Sequence, residues 1–449
     1  MTMQTLAVLG RHGRTAGRFA MLGVAAAGLA LSAAAEGAAP LAGIVPVSIG
    51  PVPVDFILFA CTLLGVALFH HRTFTVAVTG LTVILLWKFL VVGFRHGAGL
   101  EGFAIHIEEE WVVIANLFLL LLGFAVLSRH FELSNAPEEL PALLPDNWLG
   151  GLVLLILVFF LSSFLDNIAA ALIGGVVAKH VFHNKVHIGF LAALVAASNA
   201  GGSGSVVGDT TTTMMWIDGI NPLNVVHAYV AAFAALIVFS VPAALVQQKY
   251  QPIQKAATTG LKIDWLRVLV VLLILVTAIA ANVTANIRFP ALLDQIPVIG
   301  LGVWIAIIVT AVLRRPDWAI VPASLKGTLF LLCLVTAASL MPVESLPSAS
   351  WPTAMGLGFV SAVFDNIPLT ALALQQGGYD WGVLAYAVGF GGSMVWFGSS
   401  AGVAVSNIFP EAKSVWQWVS KGWFIVVAYV IGFLVMLAIV GWHPHAPHH

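Results

Sequence analysis

Charge is what this sequence has least of. Of 449 residues only 9% are Asp, Glu, Lys or Arg and 60% are hydrophobic, where a soluble domain carries about 25% charged residues. Water is therefore not its principal solvent. Cysteine is nearly missing too. Cys61 and Cys333 both fall inside apolar runs, so they read as small buried residues, which argues against a disulfide or a redox centre. An excess of basic charge is also lacking, with 19 Lys and Arg against 20 Asp and Glu, and this argues against a nucleic-acid partner. No stretch is long and polar enough to form a soluble domain. What recurs from end to end is apolar runs of roughly 17 to 25 residues, the length needed to cross a hydrocarbon core about 30 Å thick.

Residues 1–39 have the layout of a targeting segment: Arg11, Arg14 and Arg18, an apolar stretch at 19–31, then small residues at 32–35. Cleavage is expected near Ala35 or Ala39, with an uncleaved N-terminal helix as the alternative; both leave residue 40 outside. Spans are expected near residues 54–70, 73–93, 111–128, 187–208, 225–247, 264–284, 297–313, 325–341, 384–408 and 422–441. Residues 148–182 and 351–378 are too long for one span and are interrupted by Asp166-Asn167 and Asp365-Asn366, so they read as re-entrant hairpins with polar tips at mid-membrane depth. Threaded this way, the chain sends Arg72, Arg129, Lys179, Lys185, Lys249, Lys255, Lys262, Arg267, Arg314, Arg315, Lys326, Lys413 and Lys421 to the cytoplasmic side. Only Arg95 and Arg288 fall outside, the asymmetry of a bacterial-type inner-membrane protein. Lys88, beside Trp87, is expected to snorkel to the outer interface. Counting either hairpin as a full span would destroy the segregation.

The sequence also repeats itself. Ser162, followed after three residues by Asp166-Asn167-Ile168, matches Ser361 followed by Asp365-Asn366-Ile367. Further on, Gly201-Gly202-Ser203 with Gly208 and Asp209 matches Gly391-Gly392-Ser393 with Gly398 and Ser399 at the same internal spacing. Each copy holds an odd number of crossings, so the second lies upside down relative to the first. The expected fold is an all-α polytopic membrane protein of two inverted-topology repeats, with about ten transmembrane helices, two re-entrant hairpins and broken helices at the midplane. Its divisions are residues 1–39, a signal peptide or N-terminal helix; 40–248, the first repeat; 249–263, a cytoplasmic linker; and 264–449, the second repeat, whose tail ends outside.

Asp166, Asp209 and Asp365 are the acidic residues expected deepest in the bilayer, where an unpaired charge costs several kcal/mol. Their plainer role is to cap the half-helices that follow. Serine caps as well at lower desolvation cost, and the second repeat uses Ser399 where the first has Asp209. A carboxylate in that place points to a cation or a proton. Around the acids the breaks supply Asn167, Asn199, Ser203, Thr210, Thr211, Thr212, Asn366, Ser393, Ser399 and Ser400, neutral oxygen-bearing groups that suit a hard ion such as Na⁺. Each hydroxyl has an ordinary alternative, bonding to its own helix backbone. A buried carboxylate holds either a proton or a metal ion but disfavours both together, which is the basis of antiport. Asp166 and Asp209 would then bind Na⁺ and exchange it for two protons. The Glu108–Glu110 run reads first as a solvated helix start, with an ion funnel or pH sensor as the sharper alternative.

At the paired Asp-Asn hairpins and the block running from Asn199-Ala-Gly-Gly to Gly208-Asp209-Thr-Thr, the sequence resembles the ion transporter superfamily, in particular NhaD-type sodium/proton antiporters and the related arsenite permeases. The resemblance covers roughly residues 50–441. It implies a dimer-forming fold with ten spans and two hairpins, and exchange of Na⁺ or Li⁺ for H⁺ without a resident cofactor. By position it implies functional roles for Asp166, Asn167, Asn199, Asp209, Thr211, Thr212, Ser361, Asn366 and Ser400. The family's acidic third span is poorly matched by residues 116–132. An oxyanion or carboxylate carrier is the alternative function, but the core offers three Asp and no Lys or Arg. An enzymatic role is not expected.

Overall fold

The computed structural model describes residues 47–445 apart from 51, 70–71, 140, 142–143, 254–261, 290–291 and 293–294. The N-terminal segment 1–39, most of the expected linker at 249–263 and the last four residues, 446–449, lie outside the described residues. Helices make up nearly all of the fold, with one two-stranded ribbon pairing Ser48–Ile49 with Val52–Pro53.

In chain order the helices are α1 (Val54–Leu68), α2 (Thr73–Trp87), α3 (Gly99–Glu132), α4 (Trp148–Ser162), α5 (Asn167–Val181), α6 (Ile188–Ser203), α7 (Thr210–Ile217) and α8 (Ala228–Tyr250). The second half continues with α9 (Trp265–Arg288), α10 (Val298–Thr310), α11 (Ile320–Ser339), α12 (Trp351–Ser361), α13 (Asn366–Gln376), α14 (Trp381–Gly391), α15 (Ser400–Ile408), α16 (Val415–Lys421) and α17 (Trp423–Ile439). Among the described residues four stretches are long and apolar enough to cross a membrane: Thr73–Val92, Gly99–Glu132, Pro222–Tyr250 and Ile320–Ser339. The pair α16 and α17 would pass as one span but is bent by 62°.

Short polar residues set many of the helix starts. Asn147, Asp166, His187, Asp209, Asp365, Asp380, Ser399 and Ser414 each accept a backbone N–H from the first turn of the helix they precede, and Ser350 with Thr353 closes a capping box on α12. Several expected boundaries need correction. The span at 111–128 begins twelve residues earlier, because α3 runs from Gly99. The segments at 187–208 and 384–408 do carry the glycine-rich breaks expected of them. Each is broken, at 204–209 and 392–399, and the first resumes as α7 beyond the limit set for it.

The packing of the two halves is reciprocal. α5 packs on α15 while α13 packs on α7; α2 packs on α11 while α10 packs on α3. Elements of one copy also meet their own counterparts, α6 with α14, α8 with α17 and α3 with α11. Glycine makes the matching crossings possible. A Cβ on Gly201 of α6 would stand 2.0 Å from the Phe159 carbonyl of α4, and one on Gly391 of α14 would stand 2.2 Å from the Gly358 carbonyl of α12. Both pairs of helices therefore cross at backbone contact, which any side chain would prevent.

Three side-chain expectations are overturned. Lys88 does not snorkel: it is 6% exposed and its Nζ lies 2.8 Å from Oδ1 of Asp55, which is 0% exposed. Pairing inside is available because α1 and α2 pack together, and Lys88 sits where α2 loosens into a π turn at Lys88–Val92. Cys61 is exposed and Cys333 only half-buried, since each lies on an outward face of its helix, where apolar surface suits lipid. Nor is the Glu108–Glu110 run a helix start. It lies in the third and fourth turns of α3, and Glu110 is half-buried, accepting a hydrogen bond from Gln375 Nε2 at 3.3 Å.

Candidate ion-binding site

Four polypeptide breaks converge. Two are the turns at 163–166 and 362–365, each closed by an Asp that caps the next helix; two are the glycine-rich breaks at 204–209 and 392–399. Asp166 Oδ2 accepts from Ile168 N at 3.2 Å and Asp365 Oδ1 from Ile367 N at 3.1 Å. Asp365 Oδ2 also accepts from Ser400 Oγ at 3.3 Å, tying the second turn to the start of α15. Both acids are half-buried. Asp209 is different, at 2% exposed.

The Asp209 carboxylate accepts from Thr211 N at 3.2 Å through Oδ1, and Asn366 Nδ2 bridges Oδ1 and Oδ2 at 3.4 Å each. Asn366 thus crosses from the second repeat to the first repeat's acid. Asp166 and Asp365 are the charged groups that act on Asp209. Three carboxylates with no Lys or Arg among their hydrogen-bond or ion-pair partners leave negative charge uncompensated at a place where hydration is poor. Among the described residues no three His, Cys, Asp or Glu stand together as a metal cluster. A cation here must therefore draw on neutral oxygens as well.

The amides and hydroxyls divide into two groups. Asn199 Nδ2 donates to Ser393 Oγ at 2.9 Å and to Ser399 Oγ at 3.1 Å, and its Oδ1 accepts from Asn167 Nδ2 at 3.1 Å, so four of the expected residues form one buried network across the two repeats. Ser399 in addition caps α15 by accepting from Gly402 N. Ser203 and Thr212 serve nearby backbone, Ser203 donating to Ala200 O and Thr212 to Ser205 O and Asp209 O, while Ser361 at the end of α12 donates across to Val388 O of α14. Thr211 is the exception. Its hydroxyl is buried, serves no backbone group and lies at the Asp209 carboxylate.

Sequence reasoning missed several supports. Ser198 Oγ donates to Asn167 O and Thr370 Oγ1 to Asn366 O at 2.9 Å, so each Asn of the Asp-Asn pairs is held by its backbone as well as its side chain. Trp418 of α16 donates through Nε1 to Ser393 O at 3.0 Å and braces the second break. Only the spacing of Thr370, one turn after Asn366, gave any signal.

No family model matches the chain. It is 25% identical over 442 residues to sodium/proton antiporter 1 of Arabidopsis thaliana, a match covering 87% of this chain and 73% of the other. It is 28% identical over 343 residues to the Na⁺/H⁺ antiporter NhaD of Alkalimonas amylolytica, covering 66% of this chain and 68% of that one. Sodium/proton antiporter 2 of A. thaliana is 26% identical over 333 residues, with 63% and 74% covered. Over most of its length, then, the chain is similar to sodium/proton antiporters, the NhaD type among them.

Proposed function

We propose that this protein is a multi-pass membrane antiporter that exchanges Na⁺ or Li⁺ for H⁺, by alternating access around the breaks that meet at Asp209. The observation that carries the reading is the Asp209 carboxylate itself, buried, uncompensated by any cationic side chain and held by an Asn from the opposite repeat. Similarity to proteins named as sodium/proton antiporters supports it. Asp209 and Asp166 bind the cation or protons in turn, Asp365 and Ser400 steady the second turn, and the network of Asn167, Asn199, Ser393 and Ser399 couples the two repeats. The reciprocal packing of the halves supports an inverted repeat, in which one half rocks against the other. Insertion in a bacterial-type inner membrane with the C-terminus outside follows from the charge asymmetry, and assembly as a homodimer from the family resemblance.

An oxyanion carrier would need cationic side chains or bare helix N-termini at the centre. The N-termini of α5, α7 and α13 are instead occupied by Asp carboxylates. The deciding experiment is transport by purified protein in proteoliposomes, following proton movement on addition of Na⁺, Li⁺, K⁺, arsenite or citrate. Proton movement driven by Na⁺ or Li⁺ is the expected result. Uptake of arsenite or citrate without Na⁺-driven proton movement would overturn the antiport reading.

A further inference from the structure

The two glycine-rich breaks share Gly-Gly-Ser and the later glycine in register, and among the positions where they differ two face the opposite copy. Asn199 stands ten residues before Asp209, and Gly389 stands ten residues before Ser399. The first copy thus carries an amide and an acid where the second carries no side chain and a hydroxyl. Because the copies face each other across α6 and α14, each upstream position looks onto the downstream residues of the opposite copy. Asn199 reaches Ser393 and Ser399, and its amide fills the space between them with two hydrogen bonds. Gly389 looks back at Ser203 and Asp209. A methyl placed on it would stand 3.5 Å from Ser203 Cβ and 3.1 Å from Asp209 Oδ2.

The two related positions are therefore in opposite states. Beside Ser399 the space is closed by the Asn199 amide, whose donors and acceptor are all engaged. Beside Asp209 the corresponding space is open, because the residue that would fill it is glycine. The Asp209 oxygen facing Gly389 accepts one long hydrogen bond, at 3.4 Å from Asn366, whereas a carboxylate oxygen has two lone pairs to offer. The Thr211 hydroxyl, 0% exposed and bonded to no backbone group, lies at the same carboxylate and offers a second oxygen there. An acidic oxygen with a lone pair to spare, a neighbouring hydroxyl oxygen and a missing side chain in one place suit a small hard cation stripped of part of its water.

We propose that the duplicated core binds its cation at only one of the two related positions, beside Asp209 in the space that Gly389 leaves open, while the Asn199 amide plugs the position beside Ser399. This rests on the antiport reading and refines it: a fold with two copies of the motif carries one Na⁺ per chain, and Gly389, which has no chemistry of its own, fixes which copy carries it. Asn199 on this view is a positioning residue that ties the copies together and occupies the second position.

The test is equilibrium binding of ²²Na⁺ to purified full-length protein, together with the Na⁺ dependence of proton flux in proteoliposomes, for the wild type, Asp209→Asn, Gly389→Ala and Gly356→Ala. Gly389 is inside a helix, where alanine is a better helix former than glycine. The wild type is expected to bind one Na⁺ per chain, and Asp209→Asn none. Gly389→Ala is expected to raise the Na⁺ dissociation constant and KM about tenfold or more by overfilling the site, with a smaller change in maximal rate. Gly356→Ala, whose methyl would have nothing within 4 Å, is expected to match the wild type. Two Na⁺ per chain in the wild type, or an unchanged Na⁺ constant in Gly389→Ala, would overturn the single-site proposal while leaving antiport standing. No Na⁺ binding and no Na⁺-driven proton flux in the wild type would instead remove the functional reading beneath it.

Discussion

Asp209 is at once a helix cap and a candidate ligand, and the two roles make different demands on its side chain. As a cap it accepts from Thr211 N, a task asparagine performs as well. As a ligand it needs the negative charge. Asp209→Asn is therefore expected to abolish Na⁺-driven proton flux while leaving abundance and thermal stability near wild type; full transport by the variant would reduce Asp209 to a cap. The pair Asp55 and Lys88 makes the opposite case. It is buried, but its charges are matched, so its role is structural. Removing one partner leaves an unpaired buried charge, and Lys88→Met is expected to cost about 3 to 5 kcal/mol. The double variant Asp55→Leu/Lys88→Met should recover most of that loss in a thermal melt of the solubilised protein. A double variant as unstable as the single one would argue that the pair does more than balance charge.

At the scale of elements, the crossings of α4 with α6 and of α12 with α14 depend on glycine, and the ends of α3, α9 and α10 depend on charge. Gly201→Ala would set a methyl against the Phe159 carbonyl, so the helices must separate, at a cost of about 1 to 3 kcal/mol or more. Its thermal midpoint should fall well below that of Gly356→Ala. Where α3 and α10 end and α9 begins, Asp264 caps α9, accepts from Arg314 Nε at 2.9 Å and donates its backbone N–H to Ser134 O, while Arg129 Nε donates to Asp317 Oδ2 at 2.9 Å. First of all through those arginine hydrogen bonds, the carboxyls of Asp264 and Asp317 are held below the usual carboxylate range. A depressed folded value means the contribution is present above the ordinary Asp value of about 3.9 and fades as pH falls through the lower folded value. Hydrogen exchange in the first turn of α9 should therefore quicken only below about pH 4, and Arg314→Ala should remove that step.

For the whole molecule the expectation is competition. If protons and Na⁺ share Asp166 and Asp209, apparent Na⁺ affinity weakens with acidity. The apparent dissociation constant rises by up to about a hundredfold per pH unit when two protons must leave and about tenfold when one does. Maximal rate should change less. An Na⁺ constant that stays flat from acid to alkaline pH in proteoliposomes would rule out the shared site.

How much of this was legible beforehand follows from range. A bilayer demands long apolar runs, and a buried acid or a run of glycines inside one stands out against that background, so solvent, repeats, Asp-Asn turns and the three acids were all readable along the chain. Interfaces between distant segments left no such mark. That Lys88 turns inward to Asp55, that Asn366 reaches Asp209 across 157 residues, and that Asn199 meets Ser393 and Ser399 while Gly389 faces Asp209 are consequences of how helices cross. A hydrophobic period names a buried face but not its neighbour, and a glycine looks the same in sequence whether it breaks a helix, admits a backbone or leaves room for an ion. Sequence therefore determined which groups the membrane had to accommodate, and tertiary packing decided which of them meet.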